Sequence, residues 1–94
     1  MAEDSFEWDY QKSASNFAKH GVTFEMAREV FKDAFAIENY DDRENYGEPR
    51  YTIIGMIEGR LLFVAFTMRG DIYRIISARG AEPHEQRQYH EDNI

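Results

Sequence analysis

The sequence predicts one small α+β domain, and three observations lead to that prediction. The chain has 94 residues, which is enough for one compact core and too few for two. The composition is 43% hydrophobic with seven Phe, six Tyr and one Trp, so a single tight core is feasible. Helical spacing of apolar residues dominates the first third of the chain, whereas runs of β-branched and aromatic residues dominate the middle. We therefore expect residues 1–94 to form one domain.

A first helix is predicted after a short strand at Phe6–Trp8, where apolar and acidic residues alternate. Asp9 is a suitable N-cap for a helix over residues 10–20, and Gly21 suits the left-handed position that ends many helices. The spacing i, i+4, i+7, i+8 predicts a buried stripe on this helix. The stripe comprises Tyr10, Ala14, Phe17 and Ala18.

A second helix is predicted over residues 24–32, with Thr23 as its cap, and it forms a hairpin with the first. Its predicted buried stripe comprises Phe24, Ala27, Val30 and Phe31. A last amphipathic helix is predicted over residues 82–91, where Pro83 is tolerated in the first turn.

The remaining segments are predicted to form an antiparallel sheet. The predicted strands cover residues 35–40, 51–57, 60–67 and 72–78. Glycine-containing turns at residues 58–59 and 68–71 join the last three strands into a meander. The predicted order is β-α-α-β-β-β-β-α, with the sheet packed by the N-terminal helical hairpin and by the C-terminal helix.

Composition and charge exclude several classes of protein. The chain has no cysteine, so neither disulfides nor thiolate metal sites can stabilise the fold. The longest apolar run, Leu61–Phe66, is far too short for a membrane span, and the acidic N-terminus lacks the apolar core of a signal peptide. We expect a soluble cytoplasmic protein with no membrane partner. The net charge is −7, yet residues 50–90 contain six Arg and four acidic residues, so a local arginine cluster could hold RNA.

Arg69, Arg74 and Arg79 are the strongest candidates for phosphate binding, because arginine grips a phosphate with two parallel hydrogen bonds. They are predicted at a hairpin turn, within a strand and at a strand end. If the strand is regular, Arg79 lies on the opposite face from Arg74, so convergence requires a bulge or a twist. The alternative is that all three are solvated or paired with the acidic residues of the first half of the chain.

Several segments, taken in order, resemble the BrnT toxin family. They are FEWD, KSASN, KHGVTFEMAREVF, GRLLFVAFTMRG and RIISARGAEPHEQRQYHE, and they span Phe6 to Glu91. The resemblance implies a RelE-like fold and a bacterial ribonuclease that arrests translation by cleaving RNA. It also implies a BrnA-like antitoxin partner with a ribbon-helix-helix region, through which the complex would bind operator DNA indirectly.

A departure from the family keeps a second function open. Glu82, Pro83 and His84 stand where the family often has basic residues. Together with the net negative charge, this acidic start of the last helix is compatible with a protein-binding co-repressor module that has little or no catalytic activity. A third possibility is an α+β domain whose resemblance is only structural.

The resemblance points to His20 and Lys19 of the KHG motif as candidates for proton transfer in metal-independent RNA cleavage, since imidazole titrates near neutrality. The alternative for His20 is a residue that only favours the helix dipole. Glu85 and Tyr89 share one face of the last predicted helix. Glu85 could orient an Arg or a His or accept a proton, and Tyr89 could stack on a base or donate its hydroxyl. Alternatively, Tyr89 packs the helix onto the sheet and Glu85 pairs with an Arg.

No metal or other cofactor is predicted. His84 and His90 are six residues apart, which is not the i, i+4 spacing of a helical metal pair. The segment Glu82–Glu85 is therefore expected only to open a helix. The charged segment Asp41–Asn45 is expected to be a solvated loop, or else a contact for a basic segment of a partner.

Overall fold

A computed structural model describes residues 5–43, 45 and 47–94 of the chain. The five strands are β1 (Ser5–Glu7), β2 (Ile37–Asp41), β3 (Arg50–Ile57), β4 (Arg60–Arg69) and β5 (Ile72–Gly80). The helices are α1 (Tyr10–His20), α2 (Phe24–Glu29) and α3 (Pro83–Asp92). The predicted α+β class is confirmed. Glu44 of the predicted charged loop, like residues 1–4 of the predicted domain, lies outside the described residues.

The sheet is mixed, so the predicted antiparallel sheet is wrong in one strand. Its order is β1-β5-β4-β3-β2, and β2 to β5 pair antiparallel. β1 instead lies parallel to β5, with Glu7 opposite Arg74. These two strands are separated in sequence by every helix and strand between them, so no hairpin forces them to run antiparallel. A strand of three residues carries no signal that identifies its partner.

One face of the sheet packs against α2 and the 3₁₀ turn Val30–Lys32, into which α2 passes. The second predicted helix is therefore α-helical only to Glu29, although most of its apolar stripe is buried as predicted. Gly55 allows the close approach, because a Cβ atom there would lie 2.5 Å from Cγ1 of Val30. The buried cluster comprises Val22, Phe24, Ala27, Val30, Ile53, Leu62, Val64, Phe66, Ile75 and Ala78.

α1 has the predicted bounds, but the prediction of its buried stripe is wrong. Asp9 accepts hydrogen bonds from the first-turn amides, and Gly21 ends the helix with a φ of +68°. Every residue of the predicted stripe is instead exposed: Tyr10, Ala14, Phe17 and Ala18. The exposed fraction reaches 78% for Tyr10 and 54% for Phe17. The apolar side of α1 therefore faces solvent.

The buried side of α1 is polar, which explains the reversal. The Asn16 side chain donates to the carbonyl of Ala78 at 2.7 Å and accepts from the N–H of Ala78 at 3.2 Å. It also donates to the carbonyl of Val22 at 2.8 Å. Asn16 thus satisfies a backbone donor and acceptor of β5 beyond the end of β1, where unpaired groups would be destabilising. Ser13 accepts from the N–H of Phe24 at 3.2 Å. Apolar periodicity cannot reveal a helix that docks through amide and hydroxyl groups.

Two tight hairpin turns fix the register of β3, β4 and β5. Glu58 and Gly59 both have positive φ, at 48° and 80°, as a two-residue type I′ turn requires. Gly70 has a φ of +61° at the first position of the other turn. In the described part of the chain, no helix has the length and apolar character needed to cross a membrane.

Candidate functional site

A β-bulge in β5 determines which arginines share a face of the sheet. The pairing of β4 with β5 shifts by one residue at Ile76. Thr67 lies opposite Arg74, and Phe63 lies opposite Arg79. Because Phe63 and Thr67 are four residues apart in β4, their side chains and those of their partners lie on one face. Without the extra residue, Arg74 and Arg79 would lie on opposite faces.

The three predicted arginines therefore lie on the same face, opposite the core formed with α2. Arg69 follows Thr67 by two residues in β4, which gives it the same orientation. We call this side of the sheet the arginine face, defined by Arg69, Arg74 and Arg79. The outermost of the corresponding positions in β4, Phe63 opposite Arg79 and Arg69 itself, are six residues apart, or about 20 Å along the strand. The three guanidinium groups therefore do not form one contact cluster.

Arg69 and Arg74 line a cleft where β1 passes into α1. We call it the cation cleft; its volume is about 110 Å³. Its lining comprises Asp9, Lys12, Glu48, Arg50, Arg69, Arg74, Ile75 and Ile76. Sequence reasoning missed Lys12 and Arg50. Arg50 could have been found from the alternation of side chains along a strand, because it lies two residues before Thr52 and so shares its face of the sheet. Thr52 lies opposite Ala65, on the same face as the other arginines.

The arginines of the cation cleft form ion pairs that are partly exposed to water. Arg74 donates to Glu7 at 3.1 Å, with side-chain exposures of 24% and 37%. Arg69 lies 4.0 Å from Glu48, and Arg50 lies 3.7 Å from the same carboxylate. Pairs that remain in contact with water typically contribute only about 0–1 kcal/mol. A phosphate could therefore displace these carboxylates with little loss of stability.

Arg79 is held more firmly. Its guanidinium donates two hydrogen bonds to Glu85, at 2.7 and 2.9 Å, and lies 4.3 Å from the centroid of the Phe63 ring. Burial of Glu85 acts to raise its pKa, but the hydrogen bonds from Arg79 and from the Glu82 N–H, with the charge of Arg79, lower it overall. Glu85 is therefore an ionised carboxylate, 5% exposed, that joins α3 to the sheet.

Tyr89 also attaches α3 to the rest of the domain. Its hydroxyl donates to Asp33 at 2.7 Å, and burial together with the Asp33 carboxylate raises the pKa of Tyr89 to about 12. Asp33, which sequence reasoning missed, also accepts from the N–H groups of Met56 and Phe35. Burial acts to raise the pKa of Asp33, and these hydrogen bonds lower it overall. With 7% exposure, the Tyr89 ring packs α3 and presents no surface on which a base can stack.

His20 and Lys19 lie at the C-terminal end of α1, away from the lining of the cation cleft. Both are exposed, and neither side chain forms a hydrogen bond or an ion pair with another described residue. Lys12 and Lys19 are two helical turns apart, or about 10 Å, on the same side of α1. The structure therefore places the predicted imidazole beyond the cleft and does not bring it into contact with the arginines.

One cluster in the described part of the chain has the ligand types of a metal site. Ligand atoms of Glu82, His84 and Glu85 lie within 4.8 Å of one another at the start of α3. Both carboxylate oxygens of Glu85, however, already accept hydrogen bonds from Arg79, whose charge opposes a cation there. The cluster is better explained by the Arg79–Glu85 ion pair and by the capping of the first turn of α3.

A family model for the ribonuclease toxin BrnT of type II toxin–antitoxin systems matches residues 8–85. The chain belongs to the BrnT family. The match runs from the residue before Asp9 into the first turn of α3. It includes the arginine face of this BrnT protein, its Arg79–Glu85 pair and the KHG segment, and excludes Tyr89. None of the curated proteins compared with the chain matches it.

Proposed function

We propose that this BrnT protein is an endoribonuclease that arrests translation by cleaving RNA held on the arginine face. The observation that supports the proposal most strongly is the shared lining of the cation cleft by Arg69 and Arg74, which lie on one side of the sheet because Arg74 pairs with Thr67, two residues before Arg69. Lys12 and Arg50 add two further cations to the same cleft. The cleft thus concentrates positive charge on a protein whose net charge is −7, as a phosphodiester site requires.

The proposed reaction is an intramolecular transesterification that needs no metal. The 2′-hydroxyl oxygen attacks the adjacent phosphorus while a base takes its proton, and the 5′ oxygen of the next nucleotide leaves with a proton from an acid. The products are a 2′,3′-cyclic phosphate and a 5′-hydroxyl. Arg69 and Arg74 stabilise the additional negative charge on the phosphorane oxygens. Since carboxylates already hold the two arginines in place, the guanidinium groups need little reorientation when a phosphate replaces those carboxylates.

Two groups are candidates for the general base, and they differ in position. His20 has the suitable imidazole, although it lies beyond the cleft at the end of α1. Glu48 lies inside the cleft, between Arg50 and Arg69. We assign Lys19, beside His20, to the path of the RNA backbone along α1. Glu85 acts in this proposal as the residue that positions Arg79 and α3.

A type II toxin has a protein antitoxin, and we propose that this one carries a ribbon-helix-helix DNA-binding region. Operator DNA would then be contacted through the antitoxin, in keeping with the acidic surface of the toxin. We further propose that the packing of the mixed sheet with α1 to α3 is RelE-like, and that the protein acts in the cytoplasm, where its RNA substrate is found.

A second candidate function is supported by the ion pairs. Arg74 and Arg79 both contact carboxylates, and Tyr89 is buried. A module that only binds its antitoxin and acts as a co-repressor would not need arginine side chains that are free to bind phosphate. The two functions differ in one property, the cleavage of RNA by the isolated protein.

The ribonuclease proposal predicts two results. Expression without the antitoxin should arrest growth, and the purified protein should cleave single-stranded RNA in the presence of EDTA. Glu48→Gln and His20→Ala variants identify the base, whose loss should lower the cleavage rate by about 10²–10⁴-fold. Intact RNA and normal growth, with folded protein by circular dichroism, would instead support the co-repressor.

A further inference from the structure

A second cavity lies on the other side of the connection between β1 and α1. Its volume is about 480 Å³, and we call it the aromatic pocket. Its lining comprises Phe6, Glu7, Trp8, Tyr10, Glu25 and Arg28. The rings of Trp8 and Tyr10 meet edge to face with centroids 6.3 Å apart. Tyr10 is 78% exposed, so its ring is accessible to a planar ligand.

The aromatic pocket adjoins the cation cleft. Glu7 lines the pocket and accepts a hydrogen bond at 3.1 Å from Arg74, which lines the cleft. Asp9 lines the cleft, and its neighbours Trp8 and Tyr10 line the pocket. Since consecutive Cα atoms are about 3.8 Å apart, the two cavities meet across a single stretch of backbone. A ligand with an anionic group in the cleft can place an adjacent ring in the pocket.

We propose that the aromatic pocket binds the guanine base of the nucleotide next to the phosphate in the cation cleft. This inference rests on the proposed ribonuclease function and adds the base that the enzyme prefers. The exposed ring of Tyr10 offers a stacking surface, which is worth about 1–3 kcal/mol per base in proteins that bind single strands. Unpaired bases in single-stranded RNA leave their hydrogen-bonding edges open to such a pocket.

Glu25 and Arg28 select guanine by their hydrogen-bonding character. They are three residues apart in α2 and so lie on one side of the helix. The Glu25 carboxylate accepts two hydrogen bonds side by side, and guanine has two adjacent donors, N1–H and N2–H. Arg28 is a donor suited to the O6 and N7 acceptors of the same base. Uracil, cytosine and adenine each have an acceptor next to their donor, which would repel the carboxylate.

Trp8 brings an additional donor to the edge of the aromatic pocket. Its indole N–H is shielded from solvent and has no hydrogen-bond partner among the described residues. Buried donors in folded proteins nearly always have a partner, and a ligand that uncovers this N–H on binding would give it an oxygen to which it can donate. An antitoxin side chain is the alternative occupant. RNA is favoured because the pocket continues the cation cleft and contains a donor and an acceptor on one helix face.

Binding of non-cleavable RNA tests the inference apart from catalysis. We would measure fluorescence anisotropy of labelled 2′-O-methyl tetranucleotides, one all-uridine and one with a single guanosine. The wild-type protein should bind the guanosine strand about tenfold more tightly, and Tyr10→Ala should remove about tenfold of that affinity. Glu25→Gln should lower the affinity for the guanosine strand to that for the all-uridine strand. Phe17→Ala, which removes another exposed ring of α1 outside the pocket, is the matched control.

Each of the following outcomes would overturn the inference. Equal binding of both strands by the wild-type protein, or an equal loss in Phe17→Ala, would show that the pocket reads no base. Retained RNA binding by Tyr10→Ala with loss of binding to the co-purified antitoxin would assign the pocket to the partner. RNA cleavage without preference for guanosine would reject the inference while leaving the ribonuclease proposal intact. Failure of the folded protein to bind either strand would reject both.

Discussion

Glu85→Gln is expected to lower the free energy of unfolding by about 3 kcal/mol, or more than 100-fold in the folding equilibrium. The substitution keeps the shape of the side chain and removes its charge, so the Arg79 guanidinium loses its buried carboxylate partner and keeps only the carbonyl of Gly80 and the exposed carboxylate of Glu82, 3.7 Å away. Breaking a buried pair in this way typically costs about 3–5 kcal/mol. We take the lower end because the Arg79 side chain is 31% exposed and its remaining charge is partly solvated. Urea denaturation followed by circular dichroism measures the change.

The Arg79–Glu85 pair also makes the stability difference between wild type and Glu85→Gln depend on pH. Since the folded state holds the pKa of Glu85 below its ordinary value of 4.5, the pair contributes its full stabilisation above about pH 4.5. That contribution is lost as the pH falls through the lowered pKa of the folded state. The difference between wild type and Glu85→Gln should therefore be constant at neutral pH and shrink in acid.

Arg87→Ala is the matched control for Glu85→Gln. Arg87 lies on the exposed side of the same helix, and its side chain has no partner among the described residues, so a change within about 0.5 kcal/mol is expected. A double Arg79→Met, Glu85→Met variant should be less destabilised than the two single variants together. Glu85→Gln protein as stable as the wild type would contradict the assignment of Glu85 to the ion pair that holds Arg79 and α3 in place.

Replacing both Arg69 and Arg74 by Ala is expected to lower the rate of RNA cleavage by about 10²–10³-fold. The expectation follows from their place in the cation cleft, where they oppose the charge that develops on the phosphorane. Stability should change by less than about 1 kcal/mol, because both ion pairs are partly exposed. Single-turnover cleavage of a short RNA in EDTA measures the rate independently of metal.

Arg87→Ala also serves as the control for this pair, since it removes one arginine that lies outside the arginine face. Arg74→Lys keeps the charge but cannot grip a phosphate with two parallel hydrogen bonds, so it should retain only part of the wild-type activity. Cleavage by the Arg69, Arg74 double variant at the wild-type rate would place the reacting phosphate elsewhere.

Much of the fold follows from short-range signals in the sequence. Asp9, Gly21 and Thr23 mark helix ends through their own hydrogen bonds and backbone angles, and the structure confirms each of them. The face that α1 buries could not be predicted, because Asn16 docks through its amide to a strand that is distant in sequence. The parallel pairing of β1 was equally hidden, since it depends on which sheet edge remains open after the meander forms.

The site could be predicted only in part, for a related reason. Residue type and predicted strand position selected Arg69, Arg74 and Arg79, and the alternation of side chains along a strand showed that a bulge or a twist was needed to bring Arg79 to the face of Arg74. The structure supplies that bulge, at Ile76. The sequence could not show that Arg79 is committed to α3 or that Lys12 of α1 joins the cleft. Both depend on how the helices pack against the sheet.

The most direct test of the account is NMR of the arginine side-chain Nε–Hε groups during titration with a 2′-O-methyl RNA. We predict that the resonances of Arg69 and Arg74 shift with a common affinity, while that of Arg87 does not move. Saturable RNA binding that leaves Arg69 and Arg74 unperturbed would contradict the claim that this face of the sheet seats the phosphodiester.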